Sequence, residues 1–213
     1  MIRNIFELYS ERKDFFLKLT VEHLKISAIS IIIALIIGLV LGIIISEYKK
    51  TSPLILGITN FVYTIPSISL LGFLIPLSGI GNTTAIIALT IYALLPMIRN
   101  TYTGIDNIDS SIIEASKGMG STPFQILYKI KLPLALPVIL AGLRNMVVMT
   151  IALAGIASFI GAGGLGVAIY RGITTNNSAM TVAGSLLIAF LALIMDFIIG
   201  VIEKYMKKKW RLV

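Results

Sequence analysis

Long apolar stretches, separated by short polar or glycine-rich segments, dominate the hydrophobicity pattern of this 213-residue chain. A membrane-spanning helix needs about 20 mostly apolar residues, and several stretches reach that length. Residues 51–98 contain no charged side chain and are too long for one crossing, so the polar and glycine-rich residues 78–82 are expected to divide them. The pattern predicts an all-α polytopic membrane protein with about five transmembrane helices, at about Ile26–Ser46, Pro53–Leu77, Thr84–Asn100, Leu136–Ile160 and Met180–Ile202.

Residues 1–20 precede the first predicted span and mix charged side chains with apolar ones at roughly helical spacing. This spacing predicts an amphipathic helix on the membrane surface, although a plain helical extension of the first span fits equally well. The mixed charges also argue against a cleaved signal peptide. Residues 21–213 are expected to form a single transmembrane domain. The apolar positions are Ile2, Ile5, Phe6, Tyr9, Phe16 and Leu19.

The positive charge of the chain lies at the ends of the apolar stretches. With a formal net charge of +8, the chain could suggest nucleic-acid binding, but no basic stripe is interleaved with aromatic residues. Five crossings place Lys49-Lys50, the polar residues 106–133 and the C-terminal lysines on one side, and the positive-inside rule makes that side cytoplasmic. We therefore expect an extracytoplasmic N-terminus and a cytoplasmic C-terminus. The absence of cysteine and the single histidine, His23, give no basis for a metal site.

The polar insert between the third and fourth spans, residues 106–133, has the pattern of a helix–turn–helix. Ser111 and Glu114 have capping-box spacing, and Gly120 is a suitable helix stop. Thr122 and Gln125 form a second capping box around Pro123, and Pro133 is expected to end this second helix.

The same insert resembles the E-A-A-x3-G-x9-I-x-L-P signature of ABC importer permeases. Ser116 replaces the second alanine with a residue nearly as small, and an ordinary helical loop would not explain the Glu-Ala opening followed by glycine. The resemblance implies a cytoplasmic coupling helix that docks on a separate ATP-hydrolysing subunit, with Glu for polar contact, Ala for close approach and Gly for the turn. The implied coupling residues are Glu114, Ala115, Ser116, Gly118, Gly120, Ile130, Leu132 and Pro133.

The whole chain resembles the permease subunits of type I ABC importers for glycine betaine, carnitine or choline, most closely over residues 63–166. Matching segments include TIPSISLLGFLIPLSGIGN and FIGAGGLG. The resemblance implies alternating access, with a second identical or paralogous permease, cytoplasmic ATPases that hold ATP and magnesium, and an outer substrate-binding protein. No cofactor is expected on this chain. Methionine importers share five spans and the coupling motif, and stay open as an alternative.

A glycine-rich sequence after the fourth span spells G-x-G-x-x-G but does not predict a nucleotide site. Such a site needs a preceding strand and an acidic residue about 20 positions later, whereas the next acidic residue is Asp196. We expect a tight turn at the outer mouth of the pathway, a feature that permeases of this type share. Its glycines are Gly161, Gly163, Gly164 and Gly166.

Arg144 and Asp196 are charges well inside the last two spans, where an unpaired charge is costly. Their similar distance from the cytoplasmic ends suggests an ion pair between the spans. Alternatives are a water-lined vestibule, or a contact between Arg144 and the coupling segment. Tyr63 and Tyr92 lie near prolines and are weak candidates for the substrate pathway; a core or interfacial role fits them better.

Small residues recur every fourth position along the first span and form a ridge that permits close helix packing. Packing within the chain is preferred over a contact with another subunit. The ridge consists of Ser30, Ala34, Gly38, Gly42 and Ser46.

No arrangement of side chains suggests an enzyme: no nucleophile is paired with a base, and the acidic residues are scattered. A passive channel is a further alternative, but it would have no need of a coupling helix.

Overall fold

The computed structural model describes residues 2–209, which are almost entirely helical and contain no strand. The α-helices are α1 (Ile2–Glu11), α2 (Lys13–Glu47), α3 (Ser52–Thr64), α4 (Ser67–Ser78), α5 (Asn82–Asp106), α6 (Ser110–Gly118), α7 (Pro123–Ile126), α8 (Leu132–Ala154), α9 (Gly166–Thr174) and α10 (Ser178–Lys209). Short 3-10 helices cover Lys49–Thr51 and Ile156–Ile160, and a π-helical segment covers Leu127–Lys131.

Helices α2, α5 and α8 form the centre of the bundle, and the small-residue ridge of α2 packs against α5. A Cβ atom on Gly38 would lie 2.7 Å from Cβ of Met97, and one on Gly42 would lie 2.5 Å from Cβ of Thr101. The backbones therefore approach more closely than any larger side chain would permit. All five ridge residues are buried, so the predicted packing of the ridge within the chain is confirmed.

The predicted second span is a broken pair of helices. Helices α3 and α4 are bent by 100° at Ile65-Pro66, because proline cannot donate the backbone hydrogen bond that a continuous helix requires. Neither helix is long enough to cross a bilayer alone. Pro76 and Pro96, in contrast, lie inside continuous helices.

The two ends of the bundle are defined by contacts between distant segments. Glu22 and Asn82 both contact the glycine-rich turn at one end, here called the glycine end. Glu47 and Asp106 lie together with lysines at the other, the lysine end. Helices α2 and α5 therefore run in the same direction, so the α3–α4 pair must return the chain from one end to the other. Together with four long apolar helices this gives five crossings, as predicted.

The N-terminal residues and the segment after the glycine-rich turn differ from the predicted elements. Residues 2–20 belong to two helices: α1 ends at Glu11, and the 35-residue helix α2, which contains the first span, begins at Lys13. The hydroxyl of Tyr9 donates to the carbonyl of Ala183 at 2.7 Å, so α1 packs against α10. The pattern also missed α9, because its nine residues are too few for a recognisable period.

Helices α2 and α10 carry long rows of exposed apolar side chains. These rows contain only aliphatic or aromatic residues, which matches a surface that faces lipid. Representative members are Ile32, Ile36 and Val40 on α2, and Phe190, Leu193 and Phe197 on α10.

Candidate functional site

The polar insert forms a compact elbow at the lysine end, with α6 as its first arm. Asp109 caps α6, because one of its carboxylate oxygens accepts the backbone N–H of Ser111 at 2.8 Å. This hydrogen bond lowers the pKa of Asp109. The predicted capping box of Ser111 and Glu114 is therefore wrong: the helix begins one residue before Ser111, and Glu114 lies exposed on its surface.

Gly120 ends the first arm, as predicted. Its φ of +80° lies in the region that disfavours residues with a Cβ atom, and nothing lies within 4 Å of the place where a Cβ would stand. The N–H of Ser121 reaches back to the carbonyl of Ser116 at 3.1 Å and closes the helix end. The predicted capping box of Thr122 and Gln125 is also present, and it opens the second arm.

The second arm does not end at Pro133. From Leu127 to Lys131 the backbone adopts a π-helix, in which the N–H of Leu132 bonds to the carbonyl of Leu127, and α8 continues directly from it. The longer hydrogen-bond spacing lets the proline enter without a break in the helix. The second arm of the elbow is thus the start of the same continuous helix that crosses the membrane.

The coupling residues implied by the signature differ in their exposure. Glu114, Ala115, Gly118 and Gly120 are exposed, and only Ser116 is buried, where its hydroxyl donates to the carbonyl of Ile112 at 2.6 Å. The internal partner of this hydroxyl explains why serine fits where the signature has alanine. The remaining signature residues, Ile130, Leu132 and Pro133, are half-buried at the junction with α8.

Three large apolar side chains also project from the elbow, and the sequence analysis did not single them out. Met119 is 87% exposed, Phe124 74% and Tyr128 65%. The rings of Phe124 and Tyr128 are stacked with centroids 6.3 Å apart. Exposed apolar groups that cluster outside the spans indicate a protein-binding surface. Their signal in the sequence is apolar residues within an otherwise polar insert.

Two salt bridges join the elbow to the turn after α2. Nζ of Lys49 lies 2.6 Å from Asp106, the last residue of α5, and Nζ of Lys131 lies 2.6 Å from Glu47. The Asp106 carboxylate raises the pKa of Lys49 by hydrogen bonding and by charge attraction. A cleft of about 240 Å³ lies between the two bridges and is lined in part by Glu114. Both ends of the polar insert are thus attached to one short turn.

Arg144 and Asp196 are in direct contact in the structure. The guanidinium donates two hydrogen bonds to the carboxylate, at 2.5 and 2.6 Å, which joins α8 to α10. Glu203, one residue before Lys204 on α10, lies 3.8 Å from the same guanidinium and also pairs with Lys207 at 2.7 Å. Glu203 and Lys207 were not predicted as members of this network. Their signal was the spacing of acidic and basic residues along one helix.

The glycine-rich turn lies at the end of the bundle opposite the elbow. Gly161 and Gly164 have φ values of +74° and +94°. The N–H of Gly163 donates to the Asn82 side chain at 2.8 Å. A Cβ on Gly166 would lie 2.0 Å from the carbonyl oxygen of Gly155, so this position permits no side chain.

The turn is also held by the start of the first span. The N–H of Gly164 donates to the Glu22 carboxylate at 3.3 Å. Next to it, His23 is fully buried, with Nε2 3.0 Å from the carbonyl oxygen of Ile151. These contacts give the histidine a structural place beside the turn.

Tyr63 and Tyr92 lie together on the α3–α5 face. Their ring centroids are 5.7 Å apart and the rings are edge-to-face. The Tyr63 hydroxyl donates to the sulfur of Met149 at 3.2 Å, and the Tyr92 hydroxyl donates to the carbonyl of Ile65. Tyr92 is buried and Tyr63 is exposed, so only Tyr63 presents its ring to the outside of the chain.

Among residues 2–209, no cluster of side chains is suitable for holding a metal ion.

Comparison with known proteins extends these observations. The family described as "Binding-protein-dependent transport system inner membrane component" matches residues 23–209. The chain is 40% identical over 185 residues to the choline transport system permease protein OpuBB of Bacillus subtilis (strain 168), with coverage of 87% of this chain and 85% of OpuBB. It is also 40% identical over 197 residues to the glycine betaine/carnitine/choline transport system permease protein OpuCD of the same organism, covering 92% and 86%.

A solved structure has the same fold. The inward-facing MetNI methionine ABC transporter contains a chain that superposes with a TM-score of 0.81 at 26% identity, covering 92% of this chain and 98% of that one. The fold is therefore that of a type I ABC importer permease, with five crossings and an elbow between the third and fourth. This chain belongs to the family of inner membrane components of binding-protein-dependent transport systems.

Proposed function

We propose that this chain is the permease subunit of an ABC importer that carries a quaternary amine, such as glycine betaine, carnitine or choline, into the cytoplasm. The substrate class rests on the two relatives at 40% identity, whose names specify these amines. The methionine transporter has the same fold at only 26% identity, which makes methionine the weaker alternative.

The observation that carries the coupling function is the exposed elbow. Met119, Phe124 and Tyr128 are exposed on it, and so are the signature residues Glu114 and Ala115 of its first arm. Apolar surface of this kind is suited to burial against another protein. In this proposal the elbow docks on a cytoplasmic ATPase, which binds ATP and magnesium. The lysine end then faces the cytoplasm, in agreement with the positive-inside rule.

Movement of the elbow can reach the membrane because the connections are short. The second arm runs through the π-helical segment into α8 without a loop, and the salt bridges of Lys49 and Lys131 attach the insert to the end of α2. ATP binding would favour one arrangement of two facing permeases and so bias their equilibrium between inward-open and outward-open states. The glycine end would then face the substrate-binding protein outside.

The coupling function can be tested at Gly120 in a complex reconstituted with its ATPase and binding protein. Gly120→Asp places a charged side chain on the proposed docking surface, so we expect the subunit to remain in the membrane while ATP-driven uptake is abolished. Gly120→Asn is the matched control, because asparagine tolerates positive φ and has nearly the same size without the charge. Wild-type uptake by Gly120→Asp would contradict a docking role for the elbow.

The substrate class is tested by competition for uptake in the same reconstituted complex. Unlabelled glycine betaine, carnitine and choline should each be compared with methionine as competitors of a labelled amine. We expect at least one of the unlabelled quaternary amines to reduce uptake of the labelled amine, and methionine to leave this uptake unchanged. Transport of methionine without any quaternary amine would overturn the proposed substrate class and leave the coupling function intact.

A further inference from the structure

Arg99 is a membrane-helix charge that the proposed function does not yet use. It is the penultimate residue of the predicted third span, at about Thr84–Asn100. In the structure α5 continues to Asp106, so Arg99 lies about two turns inside the helix end.

Within the part of the chain that the structure describes, Arg99 has no acidic partner. Among residues 2–209 it forms no salt bridge, and its polar contact is a hydrogen bond from Nη2 to the side-chain oxygen of Asn60 on α3, at 3.2 Å. Arg144 differs, because Asp196 neutralises it. An arginine stays charged in a protein, and within a membrane helix it must face a cavity or another polar group.

The surroundings of Arg99 distinguish its face from the lipid-facing surfaces of the bundle. The lipid-facing surfaces of α2 and α10 expose rows of apolar side chains. The face around Arg99 instead exposes Arg99, Tyr63 and Asn145. Asn145 lies one turn from Met149 on α8, and Met149 contacts Tyr63. A face with this polarity is suited to a water-filled pathway and unsuited to lipid.

The face has two levels along the membrane normal. Asn60, Arg99 and Asn145 form the level nearer the lysine end. Tyr63 and Met149 form the next level, one turn closer to the glycine end on α3 and α8. The hydroxyl of Tyr63 is held by Met149, and its ring is held edge-to-face against Tyr92, so the exposed ring is fixed in place.

We propose that these two levels form a transient substrate subsite, here called the Arg99 subsite, that recognises a zwitterion. Arg99, with Asn60 and Asn145, would bind a carboxylate, since guanidinium and amide groups donate hydrogen bonds to it. The ring of Tyr63 would attract a quaternary ammonium group by a cation–π interaction. The inference rests on the proposed function and adds a selectivity: amines with a carboxylate, such as glycine betaine, are favoured over choline, which has none.

The test is the ratio of glycine betaine uptake to choline uptake by the complete reconstituted transporter. Loss of a charged hydrogen-bond donor is expected to lower this ratio about tenfold in Arg99→Gln, while Arg99→Lys retains part of it. Arg12→Gln, which removes an exposed arginine far from the subsite, should leave the ratio unchanged. For the second level, Tyr63→Leu should reduce the uptake of both amines, and by more than Tyr63→Phe, which retains the ring.

Several results would overturn the Arg99 subsite. One is an unchanged ratio in Arg99→Gln. Another is an equal loss of both activities together with loss of the assembled complex on size-exclusion chromatography, which would instead make Arg99 a contact between subunits. If the wild-type complex transports none of glycine betaine, carnitine and choline, the proposed substrate class itself fails, and the subsite falls with it. Normal wild-type transport with an unaltered ratio in the variant refutes the subsite alone.

Discussion

Substitution of Gly42 by alanine tests the close packing at the centre of the bundle. The added Cβ would lie 2.5 Å from Cβ and 2.7 Å from Cγ2 of Thr101, and 3.1 Å from the carbonyl oxygen of Ile98. Neither Cβ atom can rotate away, because each is fixed to its backbone, so α2 and α5 must move apart. Overpacking of this kind costs about 1–3 kcal/mol. Alanine regains up to about 1 kcal/mol of helix propensity, so a mid-range overpacking cost leaves a net destabilisation of about 1–2 kcal/mol.

The assay is unfolding of the purified subunit in mixed micelles with increasing SDS, followed by circular dichroism. Gly57→Ala is the matched control, because it makes the same change inside helix α3 at a position with nothing within 4 Å of the new Cβ. We expect Gly57→Ala to be neutral or slightly stabilising. In a double-mutant cycle, Gly42→Ala should be partly compensated by Thr101→Gly, which removes the clashing atoms from the facing helix.

Equal stability of Gly42→Ala and Gly57→Ala would refute the close approach of α2 and α5. The same conclusion would follow if the two changes at Gly42 and Thr101 were simply additive, since atoms that clash must show a coupling energy.

Three further predictions concern the charged contacts. Arg144→Gln and Asp196→Asn should each lower the yield of assembled complex several-fold on size-exclusion chromatography. Exchange of the two residues should partly restore this yield. Full yield in both single variants would contradict a stabilising role for the ion pair. Asp109→Ala should speed amide exchange in the first turn of α6 at neutral pH, whereas Asp109→Asn should not. Because hydrogen bonding lowers the pKa of Asp109, its capping contribution is present above the ordinary pKa of about 3.9 and is lost as the pH falls through the lowered value. Charge reversal of Lys131 or Glu47 alone should reduce substrate uptake more than it reduces ATP hydrolysis, and reversal of both should recover uptake. Equal losses of uptake and hydrolysis would argue against a role of this salt bridge in transmitting movement of the elbow to the membrane helices.

The sequence predicted the number of spans and the general form of the elbow well, because both depend on local patterns. The capping box at Thr122 was predictable since its members are three residues apart and only one arrangement fits. At the first arm, by contrast, the adjacent residues Asp109, Ser110 and Ser111 are all good caps. The choice between them depends on where the chain leaves α5, which a local pattern does not contain.

One error concerns the second arm of the elbow. Pro133 was expected to stop a helix, because proline usually does so. The π-helical segment instead accommodates Pro133. Whether a segment adopts this hydrogen-bond spacing depends on its tertiary contacts with other helices, so the pattern of the segment by itself could not have revealed it.

The most direct test of the account is cross-linking from single cysteines, for which the cysteine-free chain is well suited. Met119 on the elbow is 87% exposed, and Ile80 near the glycine end is 74% exposed. A photoreactive group attached at Met119→Cys should capture the ATPase subunit in membranes, while the same group at Ile80→Cys should not. Capture of the ATPase from Ile80→Cys, or none from Met119→Cys in an assembled and active complex, would contradict the coupling role of the elbow.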